Sequence, residues 1–593
     1  MEVELGGVPL VVLPGSYRRE SLARRPGGTV RLGVRGFGAG PARQRDASGA
    51  WAALGALPDG LGLRAGPALR SVVAPASWPS AGPVWSGLLA PEVHLVAGNR
   101  QWRLAGTAGG PYGGLSEVRV LTAAVVDACQ LGTRLLFAHG TAAHVSSVDL
   151  AAGSYTTSFY QNTAKFVGSD GQAGYLVPTA AGQDDRLLRY TSPTAATTLL
   201  LDAPVRRLAS WAGAVWALTR TALWRVKGTT ADLLFTQPPL LAEDDGAFLV
   251  GHGTALYTWL AGQVHRCDTT GTVRGWIPTG LRGLATRGAA SAGGFLWVVV
   301  QDATNGRWQL WATPGQLATP VGLALDWDAR EPWYLVEEWT DGGAGWPVAV
   351  GGRHPDTDLL LARAGTSGVL LAQAVPRPGF PGLRSSFRVT SGLLTALPAD
   401  TLPWLGVGAA LAWQGASGSG TVQARLGWSV DAGASWSWGT WRSVGPPPSG
   451  FQVLAEPFAP PLQAAALAVA VEVGGVGEWS PAVVELWGLA AASQAGGGGS
   501  GESVWQPRRR WRLAVQLGPL LPRASGAAET RDPDDLAAAL WEAWRVGAPL
   551  PFRDVDMAAG TSLLVQVSEI SERLEGREVG AARRLELELV EVG

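Results

Sequence analysis

A chain of 593 residues exceeds the size at which one core stops growing, so several domains are expected. With 46% hydrophobic and 16% charged residues the composition is that of a folded chain and excludes a disordered one. A formal net charge of −1 supplies no basic field for nucleic acid, two cysteines are too few for a disulfide framework or a zinc site, and no apolar run reaches the about 18 residues of a membrane span.

The start, Met1-Glu2-Val3-Glu4-Leu5-Gly6-Gly7, lacks the basic and apolar regions of a secretory signal, so none is expected. Lys165 and Lys227 are the only lysines and asparagine is rare, a bias that fits a GC-rich genome and also fits thermophilic selection against heat-labile side chains. Glycine (81 residues), proline (40) and tryptophan (28) are spread along the chain. Frequent turns between short aromatic and β-branched runs predict a mainly β protein.

Residues 1–40 read as an N-terminal arm and 41–380 as a β-propeller of about seven blades. The ruler is a set of apolar strands beginning near Pro91, Gly132, Gly174, Gly213, Gly253 and Gly293, in steps of 41, 42, 39, 40 and 40 residues. Each unit is expected to open with such a strand, for example Leu135-Leu136-Phe137 or Phe295-Leu296-Trp297-Val298-Val299. A second strand follows, such as Leu223-Trp224-Arg225-Val226. A period of about 40 residues with several strands and no helix suits a propeller blade; a β-solenoid is the alternative, with a shorter usual period. Radial stacking lets each blade cover its neighbour. The last unit is placed at about Trp333 to Val375 with an insert around Thr340–Gly345, and the segment Val30 to Val73 is a candidate for the strand that closes the ring.

From about Gly382 the ruler is lost. Residues 381–490 read as a β-sandwich, with strand-like stretches Val407–Trp413, Val422–Trp428, Ala465–Val473 and Val483–Leu489. Residues 491–504 form a Gly/Ser linker. Residues 505–593 read as a small α+β module: strand Trp511–Leu517, then a helix Asp534–Val546 with Asp532 as N-cap, Pro533 at its first position and Gly547 at its end. Leu536, Leu540 and Trp544 share a helix face, with Trp541 beside it. The closing strands Leu563–Val567 and Leu585–Leu589 alternate apolar and polar residues, one face buried and one wet.

One motif is specific. Ser429-Val430-Asp431-Ala432-Gly433-Ala434-Ser435-Trp436 resembles an Asp-box, Ser-x-Asp-x-Gly-x-Thr-Trp, with serine in place of threonine. Ser429, Asp431, Gly433 and Trp436 are its structural residues: Asp431 accepts from turn amides, Gly433 allows positive φ, and Trp436 packs under the hairpin. Sialidases carry such boxes as structural turns remote from catalysis. Trp436, Trp438 and Trp441 are candidates for stacking on a glycan; alternation puts Trp436 and Trp438 on one strand face, and packing in the sandwich core is the other reading.

Nothing else marks a reaction centre. His139 and His144 lie five apart without an obvious third ligand, and His94, His252, His265 and His354 are scattered. The glycines 496–501 do not join a strand to a helix, so no phosphate cradle is expected, and no Gly-x-Ser-x-Gly elbow is evident. Asp184-Asp185 and Asp244-Asp245 read as solvated loop pairs. No catalytic residue, cofactor or metal is expected.

The order of domains, and above all the C-terminal run of strand, helix Asp534–Val546, segment Pro549–Asp556 and closing strands, resembles a minor tail or tail-tip protein of siphovirus-type bacteriophages. The last 90 or so residues are similar to the tail-tube-like domain of distal tail and hub proteins, in which a helix lies on a β-sandwich and sheets of several subunits join into a ring. The resemblance implies a non-enzymatic structural component of the virion tail. Its implied partners are other tail proteins, further copies of itself in ring symmetry, and host-surface glycan. A propeller-based glycosidase or sialidase-like enzyme acting on host-surface glycans is the alternative; it needs opposed carboxylates and an arginine cluster at the propeller centre. A bacterial surface or periplasmic binding protein is disfavoured by the missing signal.

Overall fold

The computed structural model describes residues 2–6, 8–13, 16–22, 29–35, 51–58, 62–67, 69–72, 78–79, 85–89, 92–107, 114–236, 244–268, 276–315, 331, 333–339, 345–351, 357–363, 369–372, 383, 385–394, 402–413, 422–431, 433–445, 451–476, 480–491, 508–517, 533–546, 550–554, 563–575 and 582–591. Their regular secondary structure is almost all strand, with one helix among the described residues, Pro533–Val546. They divide into two compact units. One is built from Gly66–Gln316 and Glu331–Ser385; the other holds Met1–Ala65 and Ser386–Gly593.

The first unit consists of four-stranded antiparallel sheets. Their innermost strands begin at Trp85, Asp127, Ala164, Val205, Leu249, Thr286 and Gly345. Each of these strands touches the next, and the strand at Gly345 touches the one at Trp85. Sheets arranged radially and closed on themselves are a β-propeller. The closing sheet takes three strands from Gly345–Gly351, Thr357–Arg363 and Val369–Ala372, and its outermost strand, Leu69–Val72, from the other end of the unit.

The apolar strands that set the sequence ruler are second in each sheet. Gly174–Pro178, Ala214–Thr219 and Ala255–Leu260 are buried at every position. Their alternation feeds two interfaces. Leu136 packs with Val167 and Leu176 on one side of its sheet, whereas Leu135 and Phe137 pack with Val96 and Val125 on the other. Val215 and Ala217 join Tyr175 and Val177, whereas Trp216 and Leu218 join Leu256. Each such valine, leucine or phenylalanine contributes roughly 1.5–3 kcal/mol on burial, so the doubly buried strand dominates the hydropathy pattern. The innermost strands are mixed in burial, as in Val205–Trp211. The expectation that the apolar strand opens the unit is therefore corrected by one strand. Tyr334–Trp339, expected in the last unit, is the outermost strand of the preceding sheet, and the insert around Thr340 lies outside the described residues except for Gly345.

Polar links repeat the ruler at the inner strands. Val167 N donates to Asp127 Oδ2 at 2.9 Å, Ser169 N to Ser210 Oγ at 2.8 Å, and Arg207 Nε to Ala247 O at 2.9 Å. His252 Nδ1 and Ser291 Oγ lie 2.9 Å apart. Each link joins neighbouring sheets over about 40 residues.

In the second unit, one sandwich sheet runs Trp51–Leu54, Ser386–Ser391, Ala468–Gly474 and Val422–Ser429, the last flanked by Ser437–Trp438 and Arg442–Val444. The other runs Phe451–Ala464, Leu402–Ala412 and Ala482–Ala491, edged by Thr29–Arg35 and by the hairpin Ala56–Pro58 and Leu63–Ala65. Two glycines let indoles lie against the backbone: a Cβ on Gly408 would sit 2.2 Å from the Trp487 ring, and one on Gly488 2.6 Å from that of Trp404. Two domain boundaries change. Residues 29–35 of the expected arm, and strands Trp51–Leu54, Ala56–Pro58 and Leu63–Ala65 of the expected propeller, belong to the sandwich sheets instead.

The remaining strands form a closed path of pairings: Glu2–Leu5, Val8–Val12, Arg508–Leu517, Ala582–Glu591, Leu563–Glu575 and Leu550–Arg553, which returns to Glu2–Leu5. Arg18–Leu22 extends the outer edge of Arg508–Leu517. Inward residues Trp511, Leu513, Val515, Leu585, Leu587 and Leu589, between residues such as Arg512, Arg584, Glu586 and Glu588, pack on Leu536, Ala537, Leu540 and Trp544 of the helix. Strands Glu2–Leu5, Val8–Val12 and Arg18–Leu22 of the expected arm are thus part of the C-terminal module. Asp532, Gly547 and residues 492–504 of the expected linker lie outside the described residues.

Candidate functional site

The Asp-box folds as a hydrogen-bonded knot. Gly433 has φ of 91° and donates its amide to Ser429 Oγ at 2.8 Å. Asp431 Oδ1 accepts from Ser429 Oγ at 2.7 Å and Ser435 N at 2.9 Å, and Oδ2 accepts from Ser435 Oγ at 2.5 Å. Ser435 therefore fills the role of the motif's threonine. These hydroxyls, Ser435 first, hold the Asp431 carboxyl down at about 2, and Trp436 Nε1 closes the turn on Gly433 O at 3.1 Å. The side-chain polar atoms of Ser429, Asp431, Ser435 and Trp436 are all turned onto the turn itself, which makes it a positioning device for the tryptophans.

Those tryptophans form a ladder. Trp436 and Trp438 have ring centroids 5.9 Å apart. The Arg425 guanidinium carbon lies 4.6 Å from the centroid of Trp438 and 4.6 Å from that of Trp441. Arg425 is fixed in turn by Glu472, whose Oε2 accepts from Nε at 2.8 Å and Nη2 at 2.6 Å. Alternation along the sequence finds the three tryptophans. Arg425 and Glu472 are visible only through strand pairing, which sets Arg425 opposite Glu472. Trp438 is flanked by Trp436 and Arg425, so Trp441, 42% exposed, offers the most open ring.

The histidines do not converge. His139 is buried beside Ser146 Oγ at 2.7 Å, with burial lowering its pKa, and His144 meets Ser158 Oγ at 3.0 Å. His265 is pushed down to about 4 by burial, and His354 lies outside the described residues. Among the described residues no group of three or more His, Cys, Asp or Glu is placed to hold a metal. Cys129 and Cys267 are buried and unbonded to each other. Asp184 faces Lys165 at 3.4 Å, and Asp245 accepts from Ala261 N at 2.7 Å. No helix among the described residues is long and apolar enough to cross a membrane.

Two buried polar networks escape a sequence reading. In the propeller, Glu331 Oε1 accepts from Arg266 Nη1 at 2.8 Å and Tyr257 OH at 2.7 Å, and Arg266 also donates to Gly315 O at 2.8 Å. In the C-terminal module, Asp554 accepts from Tyr17, Trp511 and Arg19. The module's outer face carries a cleft of about 350 Å³ lined by residues including Arg18, Arg512, Glu569, Arg584 and Glu588, with Arg512 bridging Glu588 at 2.8 Å.

The sequence matches no protein-family model and no curated protein. Among solved structures, the chain is similar to the WD40 domain of Neurospora crassa Pan2 at 8% identity, covering 51% of this chain and 95% of that one with a TM-score of 0.35. It is similar to BamB from Moraxella catarrhalis at 12% identity, covering 60% and 97% with a TM-score of 0.32. A computationally designed protein, Ika8, matches at 9% identity over 52% of this chain and 100% of that one, with a TM-score of 0.33. The propeller assignment rests on the sheets and their closure described above.

Proposed function

We propose that the chain is a structural component of a bacteriophage tail tip. In this reading a seven-bladed propeller and a sandwich are carried by a tail-tube-like C-terminal module. That module holds the chain among other tail proteins and further copies of itself. The observation that supports the reading is the closed sheet of the module with the helix Pro533–Val546 packed against its apolar face. That arrangement has the strand and helix order on which the tail-tube resemblance rests. The alternating Arg and Glu residues outside it, Arg512, Arg584, Glu586 and Glu588, suit a wet contact between subunits.

Electron microscopy of phage particles labelled with an antibody against residues 533–593 tests the proposal. Label at the tail end is expected. A purified chain that stays monomeric and never associates with particles would overturn it. Incubation with cell-wall polysaccharide is expected to release no sugar, and release would favour the glycosidase alternative.

A further inference from the structure

The ladder belongs to a whole sheet face. Pairing sets Trp441's neighbour row as Arg425, Glu472 and Arg388, and the next row as Gln423 opposite Gly474. The opposite face of the same strands, with Ala424, Leu426, Val471, Val473 and Val389, is the sandwich core. Gln423 is exposed and Arg388, Arg425 and Glu472 are half-buried, so the row faces solvent. Gly474 leaves room for the indole: an added Cβ there would lie 3.3 Å from the Trp441 ring.

We propose that this face binds a neutral pyranose polysaccharide, with Trp441 as the stacking platform and Gln423, Glu472 and Arg388 as partners for its hydroxyls. A pyranose presents an apolar C–H face beside a rim of hydroxyls that both donate and accept. An exposed indole next to an amide, a carboxylate and a guanidinium matches that mixture. Arg425 lies over one face of the indole and holds it, so the remaining exposed part of the ring is the platform and little side-chain entropy remains to be lost on binding. The Arg425–Glu472 pair cancels charge at the centre of the row. Arg425 and Glu472 hold each other, so the row adds one further charge, Arg388, and no cluster for an anionic chain, and an apolar protein surface would desolvate these groups without replacing their hydrogen bonds. The proposal is independent of the tail reading, because it concerns the sandwich and is read by sugar binding alone.

The test is native affinity electrophoresis of the full chain in gels containing laminarin, glycogen, galactomannan or alginate. Retardation by at least one of the three neutral polysaccharides is expected. Trp441→Ala should weaken it by about tenfold or more, as for a central aromatic anchor, Gln423→Ala should weaken it less, and Trp441→Phe should keep part of it. Circular dichroism and thermal melting report whether each variant is folded. Gln423 is exposed, so Gln423→Ala decides the matter if Trp441→Ala does not fold. The proposal is overturned if no neutral polysaccharide retards the chain, if only alginate does, or if folded Trp441→Ala and Gln423→Ala both bind as the parent does.

Discussion

Tyr17 and Asp554 stand 537 residues apart in sequence, and the tyrosine hydroxyl donates to the Asp554 carboxylate at 2.6 Å. The same carboxylate accepts from the Trp511 indole at 2.8 Å and from Arg19 at 3.2 Å, and it is almost fully buried. Burial, with the neighbouring carboxylate adding to it, pushes the Tyr17 hydroxyl well above its ordinary range, so it stays a donor at any physiological pH. This hub fastens the first strands of the chain to the last. Asp554→Ala strands the buried Trp511 indole donor and the half-buried Tyr17 hydroxyl and should cost about 2–4 kcal/mol, whereas Tyr17→Phe should cost about 1 kcal/mol. Urea unfolding followed through the module's tryptophans measures both. An Asp554→Ala midpoint equal to that of the parent would refute the hub.

A related expectation concerns the arm. Residues 505–593 expressed without residues 1–22 would leave the edge of Arg508–Leu517 and that of Leu550–Arg553 unpaired. Open edges template association. The fragment should aggregate, and adding residues 1–22 in trans or by fusion should restore a soluble species on size exclusion.

In the propeller, Asp127 is pushed up to about 7 by burial, with its hydrogen bond from Val167 and the charge of Arg207 opposing. The unfolded chain releases this proton near pH 4, whereas the folded chain keeps it until about 7. The folded state therefore binds more protons between those values, and stability falls as pH rises through that window. A displacement from near 4 to about 7 caps the effect at about 4 kcal/mol. Asp127→Asn keeps an acceptor for Val167 N and should flatten the decline. Melting temperatures between pH 4 and 8 for the two proteins check this, and parallel curves would refute it.

How much of this was legible in the sequence follows burial. Strands covered on both faces, such as Ala214–Thr219, announce themselves as continuous apolar runs, and their spacing gave the propeller. The phase was hidden because inner strands such as Val205–Trp211 mix exposed and buried positions. The helix declared itself through Pro533 and the stripe of Leu536, Leu540 and Trp544. The pairing of Glu2–Leu5 with Leu550–Arg553 and of Thr29–Arg35 with Ala482–Ala491 was not legible, because pairing across more than 450 residues leaves no local pattern. The Asp-box and its tryptophans were readable as a motif. Arg425 and Glu472 were not, since one residue among many arginines gains meaning only from the strand opposite it.

Arg266 and Glu331 meet in a nearly dry site, with side chains 6% and 1% exposed, and burial raises the Glu331 carboxyl's pKa while Arg266 opposes the shift. Removing one partner leaves an uncompensated charge or an empty set of donors. Arg266→Met and Glu331→Gln should each destabilise the propeller by about 3–5 kcal/mol, and the pair replaced together by less than the sum. A double-mutant cycle on thermal unfolding measures the coupling, and strict additivity would show that the two do not act as a unit.

The Asp-box gives a prediction of the opposite sign in pH. Asp431's depressed carboxyl favours the folded turn above the unfolded value near 4, and that contribution is lost as pH falls toward about 2. The hydroxyl and amide of Ser435 are its donors, so Ser435→Ala removes one of them and Asp431→Ala removes the acceptor for both. Amide hydrogen exchange at Gly433 and Ser435 should accelerate in both variants and more in Asp431→Ala. Ser435→Thr, which restores the motif's usual residue, should keep the parent's rate. Since the turn aims Trp436 and Trp438, the near-ultraviolet dichroism of the ladder should weaken along with amide protection. Lost protection with an unchanged tryptophan signal would separate the turn from the ladder and defeat the positioning role.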